Sequence, residues 1–115
     1  MALALNVYQT VTGISTTGEV GIYTAPTGYS AIVLLAQATN INSNSTETIN
    51  FSLERSVSGV AQTTEMLMGF PVPANDAANL LSGKLVLETQ DVLLLSSSSD
   101  TNVKYVVSIL ETLNQ

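Results

Sequence analysis

Hydrophobic and polar residues alternate with a period of two through most of this chain. Clusters of Gly, Pro, Asn and Ser interrupt the alternation at roughly the 8–12-residue spacing of an all-β sandwich. The stretch TINFSLERS is the clearest case: Ile49, Phe51 and Leu53 alternate with Asn50, Ser52 and Glu54, which predicts a strand with one core face and one wet face. LNVYQTVTG (residues 5–13) and EVGIYTA (19–25) read as strands joined across Ser15–Gly18, and Pro26, Thr27 and Gly28 read as a turn. The chain closes on a long strand, NVKYVVSILETL (102–113), in which Val103, Tyr105, Val107 and Ile109 share one face. Val106 and Leu110 lie on its other face and imply cover there too.

Two segments depart from simple alternation. YSAIVLLAQATN (29–40) is apolar on both faces from Ala31 to Ala36, the pattern of a strand covered on both sides. Its outer cover is either a loop of the same chain or a neighbouring subunit, because soluble proteins seldom leave large apolar patches bare. The second is GKLVLETQDVLLLSSSSD (83–100), two apolar runs separated by Glu88, Thr89, Gln90 and Asp91 and ended by four serines. KLVLE and DVLLLSS are expected to form a hairpin or to turn a corner between sheets, with the serines opening a loop.

Between these runs, NINSNSTE (40–47) and SVSGVAQTTE (56–65) read as exposed connections. Pro71 and Pro73 cannot both serve a central ladder, so MLMGFPVP belongs to an edge or an exit, with Met66 and Met68 as gap-filling core. ANDAANLLSG (74–83) is the one candidate helix, capped by Asn75 and limited to a turn or two by Gly83. The expected fold is a single domain over residues 1–115. It is all-β, an antiparallel sandwich of about eight strands with jelly-roll or related Greek-key connections.

Composition narrows the functions open to such a fold. Hydrophobic residues make up 45% but charged residues only 10%, against a usual ~25%. A surface built from neutral Ser, Thr and Asn suits a protein packed against other subunits. The net charge of −6, with Arg55, Lys84 and Lys104 the only cations, excludes a nucleic-acid partner and disfavours an anionic membrane surface. No stretch approaches the ~20 apolar residues of a membrane-spanning helix. MALALNVYQTVTG lacks the basic flank and long apolar run of a secretory signal, so the expectation is synthesis in a cytoplasm. The sequon Asn44-Ser45-Thr46 then has no glycosylating route.

Candidate chemistry is sparse. There is no His and no Cys, which removes the common nucleophile–base designs, disulfides and thiolate metal sites. Glu88 and Asp91 could form a glycosidase-like carboxylate pair, but with no Trp and few aromatics they read better as a soluble polar corner. NDAAN and SDTN offer oxygen ligands to a hard cation, yet at a density typical of turns. No catalytic residue, cofactor site or metal site is expected.

Three stretches carry a resemblance: YTAPTGYSAIVLLAQATN, FPVPANDAANLLSGKLVLETQDVLLLSSS and VKYVVSILET. Their order resembles small β-sandwich virion proteins of tailed bacteriophages, particularly those of cyanobacteria. Such proteins show a T-x-P-x-G turn before a long apolar strand, a Gly-Lys-led strand, an acidic turn, a Leu-rich strand and a final S-I-L-E-like strand. The likeness covers most of residues 20–112, and Thr89-Gln90-Asp91 stands where related patterns commonly carry Gly-Asp. The resemblance implies a non-enzymatic virion part that supplies no site residues: a capsid decoration (cement) protein on the major capsid protein, or a neck, tail or baseplate component. A receptor- or carbohydrate-binding fibre module is the alternative of another class. A homo-oligomer is expected, with a subunit interface at Ile32, Leu34 and Ala36 or at Val106 and Leu110.

Overall fold

The computed structural model describes residues 6–114. Leu5, assigned above to the first strand, lies outside the described residues with the rest of 1–5 and Gln115. The strands in chain order are β1 (Asn6–Ser15), β2 (Val20–Thr24), β3 (Tyr29–Asn40), β4 (Glu47–Val57), β5 (Val60–Val72), β6 (Ala77–Asn79), β7 (Leu85–Leu87), β8 (Val92–Ser97) and β9 (Val103–Leu113). They form two antiparallel sheets. One runs β1-β9-β3, with β6 and β7 both pairing the far side of β3; the other runs β2-β8-β4-β5. The architecture is an all-β, jelly-roll-like sandwich, and no described residue is helical.

Alternation explains the core. Ile49 and Phe51 on β4, with Leu93 and Leu95 on β8, project from one sheet. They meet Ala31 and Val33 on β3 and Val103, Val107 and Ile109 on β9. All of these are at most 1% exposed. Full burial of such a side chain stabilises by about 1.5–3 kcal/mol relative to exposure. Gly13 is required where β1 crosses Tyr105, since a Cβ there would lie 2.5 Å from the Tyr105 hydroxyl oxygen.

Several expectations are corrected. Residues 74–83 hold no helix: Asn75 adopts a left-handed φ of 60°, and the segment's backbone serves β3 instead. Asn40 N donates to Asp76 O, and Leu80 N donates to Ala36 O, both at 2.8 Å. An intrahelical ladder would leave the edge of β3 bare. Residues 56–65 are exposed but are not a loop. A two-residue turn at Ser58-Gly59, with φ of 52° and 80°, makes β4 and β5 a long hairpin whose tip runs beyond β8. β8 pairs β4 only over Ile49–Glu54. Met68 is 71% exposed, because register shifts opposite Ile49 and Phe51 break the parity of β5. Ser96 and Ser97 belong to β8 and are buried, so the loop begins only at Ser98.

The corner reading of residues 83–100 holds: β7 lies in one sheet and β8 in the other. Gln90, at φ 70°, makes the bend. Asp91 holds it by accepting from Glu88 N at 2.8 Å and from Arg55 Nε and Nη2 at 3.1 and 2.6 Å. β5 is an edge strand, as Pro71 requires.

Phe51 is the largest fully buried side chain. Phe51→Ala is expected to lower unfolding free energy by about 3–5 kcal/mol, read as a fall in urea midpoint. A change below ~1 kcal/mol would contradict a closed core at that position.

Candidate docking surface

Because Val103, Val107 and Ile109 face inward, Lys104, Val106, Ser108 and Leu110 face outward on β9. Register carries this parity across the sheet. Leu110 stands opposite Tyr8 on one side and Ile32 on the other, and Ile32 stands opposite Val86. Tyr8, Leu110, Ile32 and Val86 therefore form an apolar row across four adjacent strands. Tyr8 is 77% and Val86 57% exposed. Leu34 and Leu35, each 40% exposed, and Val106 widen the row.

Of the residues expected at a subunit interface, Ile32, Leu34, Val106 and Leu110 lie on this one face. Ala36 does not: it is buried in the core. The cause is a register shift in β3, where Val33 pairs Ile109 but Leu35 pairs Ser108. Leu34 is the inserted residue, so positions after it exchange faces and Ala36 turns inward. Strict alternation misses such an insertion. Tyr8, Leu35 and Val86 were not among the expected residues. Tyr8 was legible in principle, since it falls between Val7 and Gln9 on the side opposite Val11.

The face is also electrostatically distinct. Among the described residues of β1, β9, β3, β6 and β7, its sole outward charge is Lys104, and the only carboxylate on these strands, Glu111, is buried inward. Lys84 lies beside Leu34 and Leu35 at one margin. Glu54 and Glu65 sit on the outer side of the other sheet, opposite Thr63 and Ser52 respectively.

The remaining polar groups are structural. The Tyr23 hydroxyl donates to Glu111 Oε2 in the interior. Burial first, then this bond and the Glu111 charge, push its ionisation well above the normal tyrosine value, so it stays a donor. Glu47 Oε1 accepts from Ser98 Oγ at 2.6 Å, and its Oε2 from Asn102 Nδ2 and Asn42 Nδ2 at 3.1 and 3.3 Å. Asp100 accepts from the backbone N and Oγ1 of Thr17 at 2.8 and 2.9 Å. Glu88 and Asp91 both face Arg55, with Arg55 Nη1 3.1 Å from Glu88 Oε2. Thus the two carboxylates that resemble an acid–base pair are spent on a cation. No three His, Cys, Asp or Glu residues group to hold a metal among the described residues. A groove of about 680 Å³ between β5 and residues 79–85 is lined by Met66, Leu67, Leu80, Leu81 and Leu85, with Lys84 its only ionisable group. No described helix is long and apolar enough to cross a membrane.

No family model matches the sequence, and no curated protein matches it. Solved structures match by fold. A chain of the acid-stable capsid structure of Helicobacter pylori bacteriophage KHP30 superposes with a TM-score of 0.57 at 13% identity, covering 97% of this chain and 90% of that one. A chain of the T13 infectious bursal disease virus particle gives 0.53 at 11% identity, and one from the Gx strain of that virus gives 0.54 at 9%. Each of these covers 96% of this chain, which spans about a third, 32%, of the viral chain's length. At these identities the likeness is one of fold.

The hydrogen bonds to Glu47 and Asp100 hold both carboxyls below their ordinary values. In the unfolded chain they take up protons near about pH 4.3 and 3.9; in the folded chain they do so lower. Their contribution is complete above the unfolded values and is lost as pH falls through the folded ones. The urea midpoint should therefore decline as pH drops from about 5 toward 2. Glu47→Gln with Asp100→Asn should flatten that decline while lowering the midpoint at neutral pH. An unchanged slope in the double variant would contradict the assignment.

Proposed function

We propose that this protein is a non-enzymatic structural component of a virus particle. More specifically, we infer a capsid decoration (cement) protein of a tailed phage, seated on the major capsid protein and synthesised in the host cytoplasm. The observation that carries the reading is the outer face of the β1-β9-β3-β7 sheet, where an apolar row crosses four strands of a small sandwich among neutral polar residues, with Lys104 the sole outward charge. A chain of low charge exposes such a face at the expense of solubility unless something covers it. The fold shared with capsid-structure chains supports the same reading, as does the resemblance to tailed-phage virion proteins.

The face is large enough for the role. β1, β9 and β3 at ~4.8 Å spacing and about ten residues at ~3.4 Å rise, with the short β7 beside them, span roughly 500 Å². That is of the order of the ~800 Å² per partner of a stable interface. Docking works by removing the apolar part of this surface from water, at about 25 cal/mol per Å² before the costs of association. Many copies, each adding a modest term, raise the free energy needed to separate the lattice proteins beneath.

Tyr8, Leu34 and Val86 are exposed in the free chain, so charged replacements should leave it folded. Leu34→Glu combined with Val86→Glu is expected to reduce incorporation into particles at least tenfold, with an unchanged circular dichroism spectrum. Particles lacking the protein should assemble, yet melt at lower temperature and lose genome sooner than complete ones. Normal incorporation of the double variant would exclude this face. Equal particle stability together with lost adsorption to cells would place the protein in a tail or fibre instead.

A further inference from the structure

We propose that the free edge of β5 at the tip of the β4–β5 hairpin pairs with the same edge of a second copy of this chain. The inference concerns the protein in solution and stands apart from its place in a particle. Both turn residues, Ser58 and Gly59, have positive φ, which defines the two-residue hairpin turn in which the flanking pair, Val57–Val60, is hydrogen-bonded. Bonded and non-bonded pairs alternate in an antiparallel ladder. Arg55–Gln62 and Leu53–Thr64 are then also bonded pairs. It follows that Val60, Gln62 and Thr64 direct their N–H and C=O groups at β4, while Ala61, Thr63 and Glu65 direct theirs at the free edge.

That edge is self-complementary. A two-fold axis normal to the sheet and midway between the strands, level with Thr63, sets Thr63 against the partner's Thr63 and Ala61 against the partner's Glu65. Opposed residues keep the same face, and no carboxylate meets a carboxylate. Natural edges are blunted by Lys, Pro, bulges or cover. Between Val60 and Glu65 there is no Lys or Pro, and the register with β4 is unbroken; the shifts begin only beyond Glu65. Access is open as well. No strand pairs the far side of β5 among the described residues, and the hairpin end of the contact, from Arg55–Gln62 to Val57–Val60, lies past the end of the β4–β8 ladder. Val57 and Val60, 44% and 61% exposed, flank the contact and supply apolar surface. The contact falls short of the ~1,200 Å² of a standard interface, which sets a dimer of micromolar or weaker affinity.

The test uses the full-length chain in sedimentation equilibrium from micromolar to near-millimolar concentration. Wild type should show a mass doubling. Thr63→Pro should remain monomeric with an unchanged β spectrum, because the Thr63 N–H does not serve β4 and edge strands accept Pro. The chain has no Cys, so single cysteines report the register directly. Thr63→Cys should oxidise to a disulfide dimer, its Cα atoms being about 5.5 Å apart across a bonded pair. Ala61→Cys should not, since four residues of offset place its copies about 13 Å apart. A wild type of single mass throughout, a Thr63→Pro variant that dimerises like wild type, or equal cross-linking of both cysteines would overturn the proposal. Should Thr63→Pro unfold, the two cysteine variants decide alone.

Discussion

β3 is the strand on which the first sheet depends. It pairs β9 along nearly its whole length and takes β6 and β7 on its other side. A single inserted residue, Leu34, divides it. Before the insertion Ala31 and Val33 face the core; after it Ala36, Ala38 and Asn40 do. Without the insertion Ala36 and Ala38 would face out, and Leu35 would enter the space these small residues now fill. The shift therefore keeps a thin core under β6 and sends Leu34 and Leu35 outward. Asn40 ends the strand by donating from Nδ2 to Ser45 O and Val72 O, both at 2.9 Å, which ties the loop after β3 to the exit of β5.

Most of the fold was legible because period two is a direct consequence of strand geometry. The inward sets Ile49–Phe51 and Val103–Val107–Ile109 followed from it without tertiary knowledge, as did the edge position of β5 from its prolines. What failed has common causes. Bulges cannot be seen in an alternating pattern, so Ala36 and Met68 were assigned to the wrong side. A strand of three residues such as β6 has no period of its own; its conformation comes from the free edge of β3, and a cap-like Asn75 looked helical in isolation. The hairpin tip is exposed on both faces, so Val60–Glu65 carried no core signal and read as loop. Of the candidate surface, the apolar character of β3 and β9 was visible, but Tyr8 and Val86 joined it only once register placed them beside Leu110 and Ile32.

The distribution of polar chemistry points the same way as the packing. Among the described residues, each fully buried carboxylate has a defined structural partner: Asp91 the Arg55 guanidinium, Glu111 the Tyr23 hydroxyl, Glu47 three side-chain donors. None is left poised in a cleft to move a proton. The exposed surface, by contrast, separates into an apolar face bearing Lys104 and an opposite face bearing Glu54 and Glu65. Such a division would give the proposed docking a polarity: the face whose sole outward charge is Lys104 suits a neutral or acidic partner, and the other sheet keeps water.

The proposed virion role is tested most directly by a density map of an intact particle that carries this chain. The outer face of the β1-β9-β3-β7 sheet should lie against a neighbouring virion protein, with Tyr8, Leu34 and Val86 buried and Glu54 and Glu65 in solvent. A chain attached through its loops or through the β2-β8-β4-β5 sheet, with the apolar face bare, would contradict the claim that this face is what the protein uses.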